Sequence, residues 1–190
     1  MLSGRRLDLL NPSPNDIEIE DIAHGLARVA RWNGQTVGVH PFSVAQHSLV
    51  VLEIAQSLNP GWSAEWRLAA LLHDAPEYVV GDLISPFKAA LGLDYKSFEL
   101  RLLDAVHERF AVPAEIPSTV AEAIKSADRI AAYYEATRLA GFERDEGEIY
   151  FGKPPALPHK LATTLASLTP WPTGQAQSEF LAGFNQLAGT

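Results

Sequence analysis

The chain of 190 residues contains no cysteine. This excludes disulfides, thiolate zinc sites, iron–sulfur ligation and a catalytic thiol. Any tightly held metal must therefore use His, Asp and Glu. Basic residues are also scarce: 15 Lys+Arg stand against 23 Asp+Glu, a formal net charge of −8. The balance argues against nucleic acid or an anionic membrane as a partner, since both call for a basic footprint. Positive charge for an anionic small molecule has to be local. No stretch approaches the roughly 18 apolar residues of a membrane span, and the start, Met-Leu-Ser-Gly-Arg-Arg, lacks the apolar centre of a signal peptide. The expected location is the cytoplasm. No internal repeat, low-complexity tract or alternating strand pattern with hairpin turns is visible.

What the chain does have is helical periodicity. The expectation is a single all-α domain over 1–190 with six or more helices. It comprises an extended arm over 1–20 broken by Pro12 and Pro14, a core over about 20–140, and C-terminal helices within 159–188. Asp21 is expected to cap a helix over about 22–32 ended by Gly34. Ser43 caps one over 44–58, which Asn59-Pro60-Gly61 stops. Residues 64–74 read as a central helix buried nearly all round, interrupted by Pro76. Further helices are expected over 95–110, 118–139, 159–168 and 176–188, with a proline-rich loop over 150–158.

Titratable residues projected onto these helices at about 100° per residue sort into facing and outlying positions. On 44–58, His47 falls among Val44, Val51, Ile54 and Ala55, while Gln46 falls opposite. His73 and Asp74 end the central helix, where Pro76 disfavours helical geometry at Ala75 and lets the pair converge. On 118–139, Asp128 borders the face formed by Ile124, Ala127 and Ile130. Taken singly, each has a plain alternative: a core histidine satisfied by a carbonyl, a capping aspartate, a rim salt bridge. Taken together they offer two imidazoles and two carboxylates. Such a set suits Mn, Fe, Co, Ni or Zn, and with water also Mg. On an octahedral ion it leaves two positions open for water and substrate.

The strings around these residues are more specific than the His-Asp dipeptide. They are Ser-Val-Ala-Gln-His-Ser (43–48), Leu-Leu-His-Asp-Ala-Pro-Glu-Tyr-Val-Val-Gly-Asp-Leu (71–83) and Lys-Ser-Ala-Asp (125–128). Over about residues 20–140 the chain resembles HD-domain metal-dependent phosphohydrolases, in particular the bacterial 5′-deoxynucleotidases and the prophage-type hydrolases near them. The resemblance implies one divalent metal held by His47, His73, Asp74 and Asp128. It implies that Arg31 holds the substrate phosphate, that Trp32 packs on the sugar, and that Asp82 lies near a sugar hydroxyl. It also implies that Glu77 transfers the proton, while Ser85-Pro86 and Lys88 match the same branch, with Lys88 a second substrate-binding cation for the phosphate beside Arg31. Gln46 stands where the deoxynucleotidases carry a glutamate. The implied activity is hydrolysis of nucleoside, or deoxynucleoside, 5′-monophosphates by water that Asp74 helps to orient, and a homodimer is implied as well. The alternatives are hydrolysis of (p)ppGpp or a cyclic nucleotide, or a sensor that binds nucleotide or metal without turnover. On an ideal helix over 22–32, Arg31 lies opposite the Ile22/Leu26/Val29 stripe, on the same face as Arg28. Histidines 24, 40, 107 and 159 are expected to be surface or core residues.

Overall fold

The computed structural model describes residues 1–83 and 93–189. Among them the regular structure is helical, apart from one isolated antiparallel bridge between Ala30 and Ser43. Nine α-helices occur among the described residues: α1 (Ile19–Leu26), α2 (Val44–Leu58), α3 (Ala64–Leu71), α4 (Glu77–Val80), α5 (Leu93–Arg109), α6 (Ser118–Arg138), α7 (Arg144–Phe151), α8 (His159–Ala166) and α9 (Thr173–Ala188). Two 3₁₀ turns, Pro14–Asp16 and Arg31–Gly34, complete the set. None of these helices is long and apolar enough to cross a membrane.

The middle of the fold is α2, which packs against α3, α6 and α9. Its N-cap is Ser43, whose hydroxyl accepts from the Gln46 amide. Ten of its side chains are buried, from Val44 to Ala55, and they include His47. The expected central helix, α3, is buried only from Leu68 to Leu71 and ends there, three residues earlier than its periodicity suggests. Residues 72–76 turn instead of continuing, because Pro76 cannot supply the next amide donor. That early stop is what frees His73 and Asp74 from helical divergence.

The N-terminal arm is less extended than expected. Ile17 is fully buried, Ser3 donates to the buried Asp21 from both its amide and its hydroxyl, and Arg109 binds the Ile17 carbonyl and Glu18. The first helix starts at Ile19, so Asp21 lies inside it and accepts from the arm instead of capping. Gly25 brings α1 directly onto α4, since a Cβ there would lie 2.7 Å from both the Cβ and the carbonyl oxygen of Tyr78. Only glycine permits that approach, and it fixes the segment that carries Glu77.

Helix α1 does not reach Arg31. It ends at Leu26, and Val29 and Val44 are then tied together across the bridge, with the Arg31 amide donating to Phe42. Trp32 and Asn33 adopt left-handed backbone conformations, with φ of 56° and 51°. Arg31 and Trp32 therefore sit on a tight turn, and the helical projection that set Arg31 opposite the apolar stripe does not apply. Arg28 lies elsewhere, donating to the His24 carbonyl and to Gln177 on α9.

Candidate metal centre and cleft

His47, His73 and Asp128 can each present one ligand atom such that all three lie within 4.8 Å of one another. The Asp74 Oδ2 atom is 3.4 Å from His47 Nε2 and 3.2 Å from His73 Nε2, and Asp128 Oδ1 is 3.2 Å from His47 Nε2. Three elements or their ends meet here: α2 supplies His47, the turn after α3 supplies His73 and Asp74, and α6 supplies Asp128. Both Nε2 atoms are buried without a hydrogen bond. Their carboxylate contacts have ion-pair distances but not hydrogen-bond geometry. Their other ring nitrogens are engaged, His73 Nδ1 at 2.9 Å from the Ala70 carbonyl and His47 Nδ1 at 2.6 Å from Glu135 Oε1. Buried imidazole nitrogens are costly unless something binds them. A divalent ion fits this donor set, because each ring turns one nitrogen inward while the other is fixed by an acceptor.

The charges agree. Burial raises the Asp74 carboxyl, but the His73 and His47 rings outweigh it and hold the group well below the carboxylate range. Asp128 is lowered in the same way by His47 against the cost of burial. Glu135 is fully buried, yet Arg31 and then His47 bring its pKa down to about 2. Burial and Arg31 work against a charged His47, but Glu135, Asp128 and Asp74 overcome them and raise the ring well above its ordinary value. For Arg31 too, burial opposes charge, and Glu135 followed by Asp74 holds the guanidinium protonated. With both rings neutral, as ligation requires, Arg31 balances Glu135, and the charges of Asp74 and Asp128, the two carboxylates beside the ring nitrogens, match a divalent cation.

The cleft above these ligands has a volume of about 820 Å³. Arg31, Asp74, Glu77, Asp82 and Asp128 line its inner part. Arg31 Nη1 is 3.9 Å from Asp74 Oδ2. Glu77 is buried in the first turn of α4. Asp82 is half-buried beyond α4. The reading of Asp74 as a cap of the next turn fails: the residue at the start of α4 is Pro76, and no side chain caps that helix. Lys88 lies outside the described residues.

The outer wall is aromatic and comes partly from a helix the sequence pattern does not show. Phe142, Tyr150 and Phe151 join Trp32 there. The Trp32 ring meets Phe142 and Phe151 edge-on at 5.7 and 5.8 Å, whereas Tyr150 is 70% exposed. Helix α7 is set against α6 through Gly147, where a Cβ would lie 2.7 Å from the Thr137 methyl and 3.0 Å from the Tyr133 ring.

Two polar residues depart from expectation. Gln46 does not face outward. It is 1% exposed, donates to the Thr169 carbonyl and accepts from the Trp171 amide, pinning the loop before α9. Glu135 escapes the projection, although it follows Asp128 by seven positions and hence shares its face. Of the remaining histidines, His107 is buried, His24 and His40 are half-buried, and His159 is exposed.

Comparison with known proteins places these residues in a family. The HD-domain model matches residues 44–133, which hold all four converging ligands. The chain carries an HD domain over these residues. HD domains bind divalent metals and are generally hydrolytic, which suggests a metal-dependent phosphohydrolase. An uncharacterised protein of Rhodobacter capsulatus is 59% identical over 166 residues, covering 87% of this chain and 85% of its own length. The uncharacterised protein YfdR of Escherichia coli K12 is 29% identical over 186 residues, covering 98% and 93%.

Proposed function

We propose that this HD-domain protein is a phosphomonoesterase acting on nucleoside 5′-monophosphates, deoxynucleotides included. The observation that carries the reading is the convergence of the His47, His73, Asp74 and Asp128 ligand atoms at the floor of a cleft into which Arg31 also reaches. A divalent ion bound there would supply Lewis-acid polarisation of a phosphoryl oxygen and a water more acidic than bulk water. The side chains do the rest. Arg31 neutralises phosphoryl oxygens through its outer nitrogens, since its Nε is occupied by Glu135. Asp74, beside the ring nitrogens, orients the attacking water for in-line displacement. Glu77 exchanges a proton with the leaving 5′-oxygen. The aromatic wall of Trp32, Phe142, Tyr150 and Phe151 offers faces for a sugar and a planar base. Asp82 accepts from a sugar hydroxyl.

Phosphate release from a panel of nucleoside monophosphates, sugar phosphates, cyclic nucleotides and (p)ppGpp, each with Mn²⁺, Co²⁺, Mg²⁺ or chelator, tests the reading. Metal-dependent release from 5′-monophosphates ahead of the other substrates is expected. Preferred turnover of (p)ppGpp or a cyclic nucleotide would move the protein to another phosphohydrolase activity, and binding of nucleotide without turnover would make it a sensor.

A further inference from the structure

Glu135 is fully buried on α6, two helical turns beyond Asp128 on the same face. Its two oxygens serve three donors. Oε1 lies 2.6 Å from His47 Nδ1, while Oε2 accepts from Arg31 Nε and from Trp32 Nε1, both at 2.9 Å. These donors come from two elements, α2 and the Arg31–Gly34 turn. Each belongs to a side chain whose other part faces the cleft or its metal ligands.

We propose that Glu135 is a positioning residue, which with one carboxylate sets the ligating nitrogen of His47 and the direction of Arg31 and Trp32. The proposal rests on the reading of the cleft as a phosphohydrolase site. An ionised carboxylate can only accept, so His47 Nδ1 must carry the hydrogen and Nε2 must present its lone pair to the ligand cluster. The same logic acts on Arg31. With Nε held by Glu135, the fork formed by the two Nη atoms is turned toward Asp74 and the cleft. For Trp32, the bond from the indole nitrogen holds a bulky residue in a left-handed conformation that such residues rarely adopt. One buried group thus couples the metal ligand to the two side chains assigned to substrate.

The test uses the full chain stripped of metal. Mn²⁺ is titrated calorimetrically into wild type, Glu135→Gln and Trp32→Phe, and inorganic phosphate is then titrated into each Mn²⁺-loaded protein. In Glu135→Gln the amide keeps the size of the carboxylate but aims N–H bonds at one of its present donors. Mn²⁺ affinity is expected to fall by about 10–100-fold, and phosphate affinity to fall as well. Trp32→Phe removes only one donor, and should leave Mn²⁺ affinity as in wild type while raising KM for nucleotide. A folded Glu135→Gln protein with Mn²⁺ and phosphate affinities within about twofold of wild type overturns the proposal, even where its melting temperature is lower, since loss of stability alone is what a merely structural carboxylate gives. If Glu135→Gln does not fold, Glu135→Asp, which keeps the charge one methylene further back, should show an intermediate loss of Mn²⁺ affinity, and wild-type affinity there is equally fatal. Neither titration needs turnover. A wild type that releases no phosphate from any nucleotide therefore removes the phosphomonoesterase reading, while the titrations still decide the role of Glu135.

Discussion

Replacing Arg31 with lysine keeps the charge and removes the planar fork. In the structure the guanidinium does two things at once: Nε binds Glu135 at 2.9 Å, and Nη1 extends to within 3.9 Å of Asp74 Oδ2 at the cleft floor. Its side chain is only 12% exposed, so no large solvent term softens the loss. A lysine ammonium is a single point. If it stays with Glu135 it leaves the phosphate, and if it follows the phosphate it leaves Glu135 buried and short of a donor. Either way one hydrogen bond to a charged group goes, worth about 1.5–3 kcal/mol. That predicts a fall in kcat/KM of roughly 10- to 150-fold. Part of it should appear in kcat, since charge redistributes over the phosphoryl oxygens in the transition state. Metal content, measured by elemental analysis after dialysis, should be unchanged. Arg28→Lys is the control, because Arg28 is exposed and bonded to the His24 carbonyl and Gln177, away from the cleft. Steady-state kinetics on a 5′-monophosphate would refute the reasoning if both variants lost the same small factor, for then general charge and not a directed fork would hold the phosphate.

Changing His73 or Asp74 to alanine should abolish metal binding and activity together, as elemental analysis and phosphate release on the same sample would show; full activity in metal-stripped buffer speaks against the site. Glu77→Gln should retain the metal and lose turnover by about 10²–10⁴-fold, the range of general acid–base catalysis, whereas loss of metal would make Glu77 a ligand. Gly147→Ala forces a methyl against Thr137 and Tyr133 and should destabilise the protein by about 1–3 kcal/mol. It should also raise KM more for a nucleotide than for deoxyribose 5-phosphate, because α7 carries part of the aromatic wall; an equal rise for both would separate that wall from base binding.

The fold class and the longest helices were legible because their signals are local. Ser43 and the Asn59-Pro60-Gly61 stop bound the helix expected over 44–58, and α2 runs Val44–Leu58. The inward projection of His47 follows from the same periodicity. What escaped depends on partners distant in sequence. Nothing within residues 22–34 shows that Trp32 and Asn33 turn left-handed, since the indole bond that holds Trp32 in place goes to Glu135, 103 positions away. Gln46 reads as a surface residue until the loop at 169–171 comes to meet it. Helix α7 hid behind its composition: Arg-Asp-Glu-Gly-Glu opens it with four charges around a glycine, and its capping box has Glu143 at the N-cap in place of the usual Ser or Thr, paired with Glu146. The seven-residue spacing between Asp128 and Glu135 was the one local sign of the buried glutamate.

The acidic balance of the chain and the layout of the site belong to one argument. With 23 acidic and 15 basic residues, the protein has no broad positive field to draw in a phosphate. The cleft makes matters worse: Asp74 and Asp128 are held ionised at its floor, and Glu77, Asp82 and Glu146 also line the space, against the guanidinium groups of Arg31 and Arg129. A phosphate dianion approaching the ligand cluster without a cation meets mostly like charge. A divalent ion held by the two imidazoles and two carboxylates cancels that repulsion at the point where phosphorus must sit. Arg31, already neutralised in part by Glu135, then adds direction more than net charge. Metal and phosphate are therefore favourably coupled, and the coupling is reciprocal: an ion that admits phosphate is itself held more tightly once phosphate is bound. Selectivity against the many anions of a cell follows from the same layout, since an anion gains entry only if it can reach the ion and the Arg31 fork together.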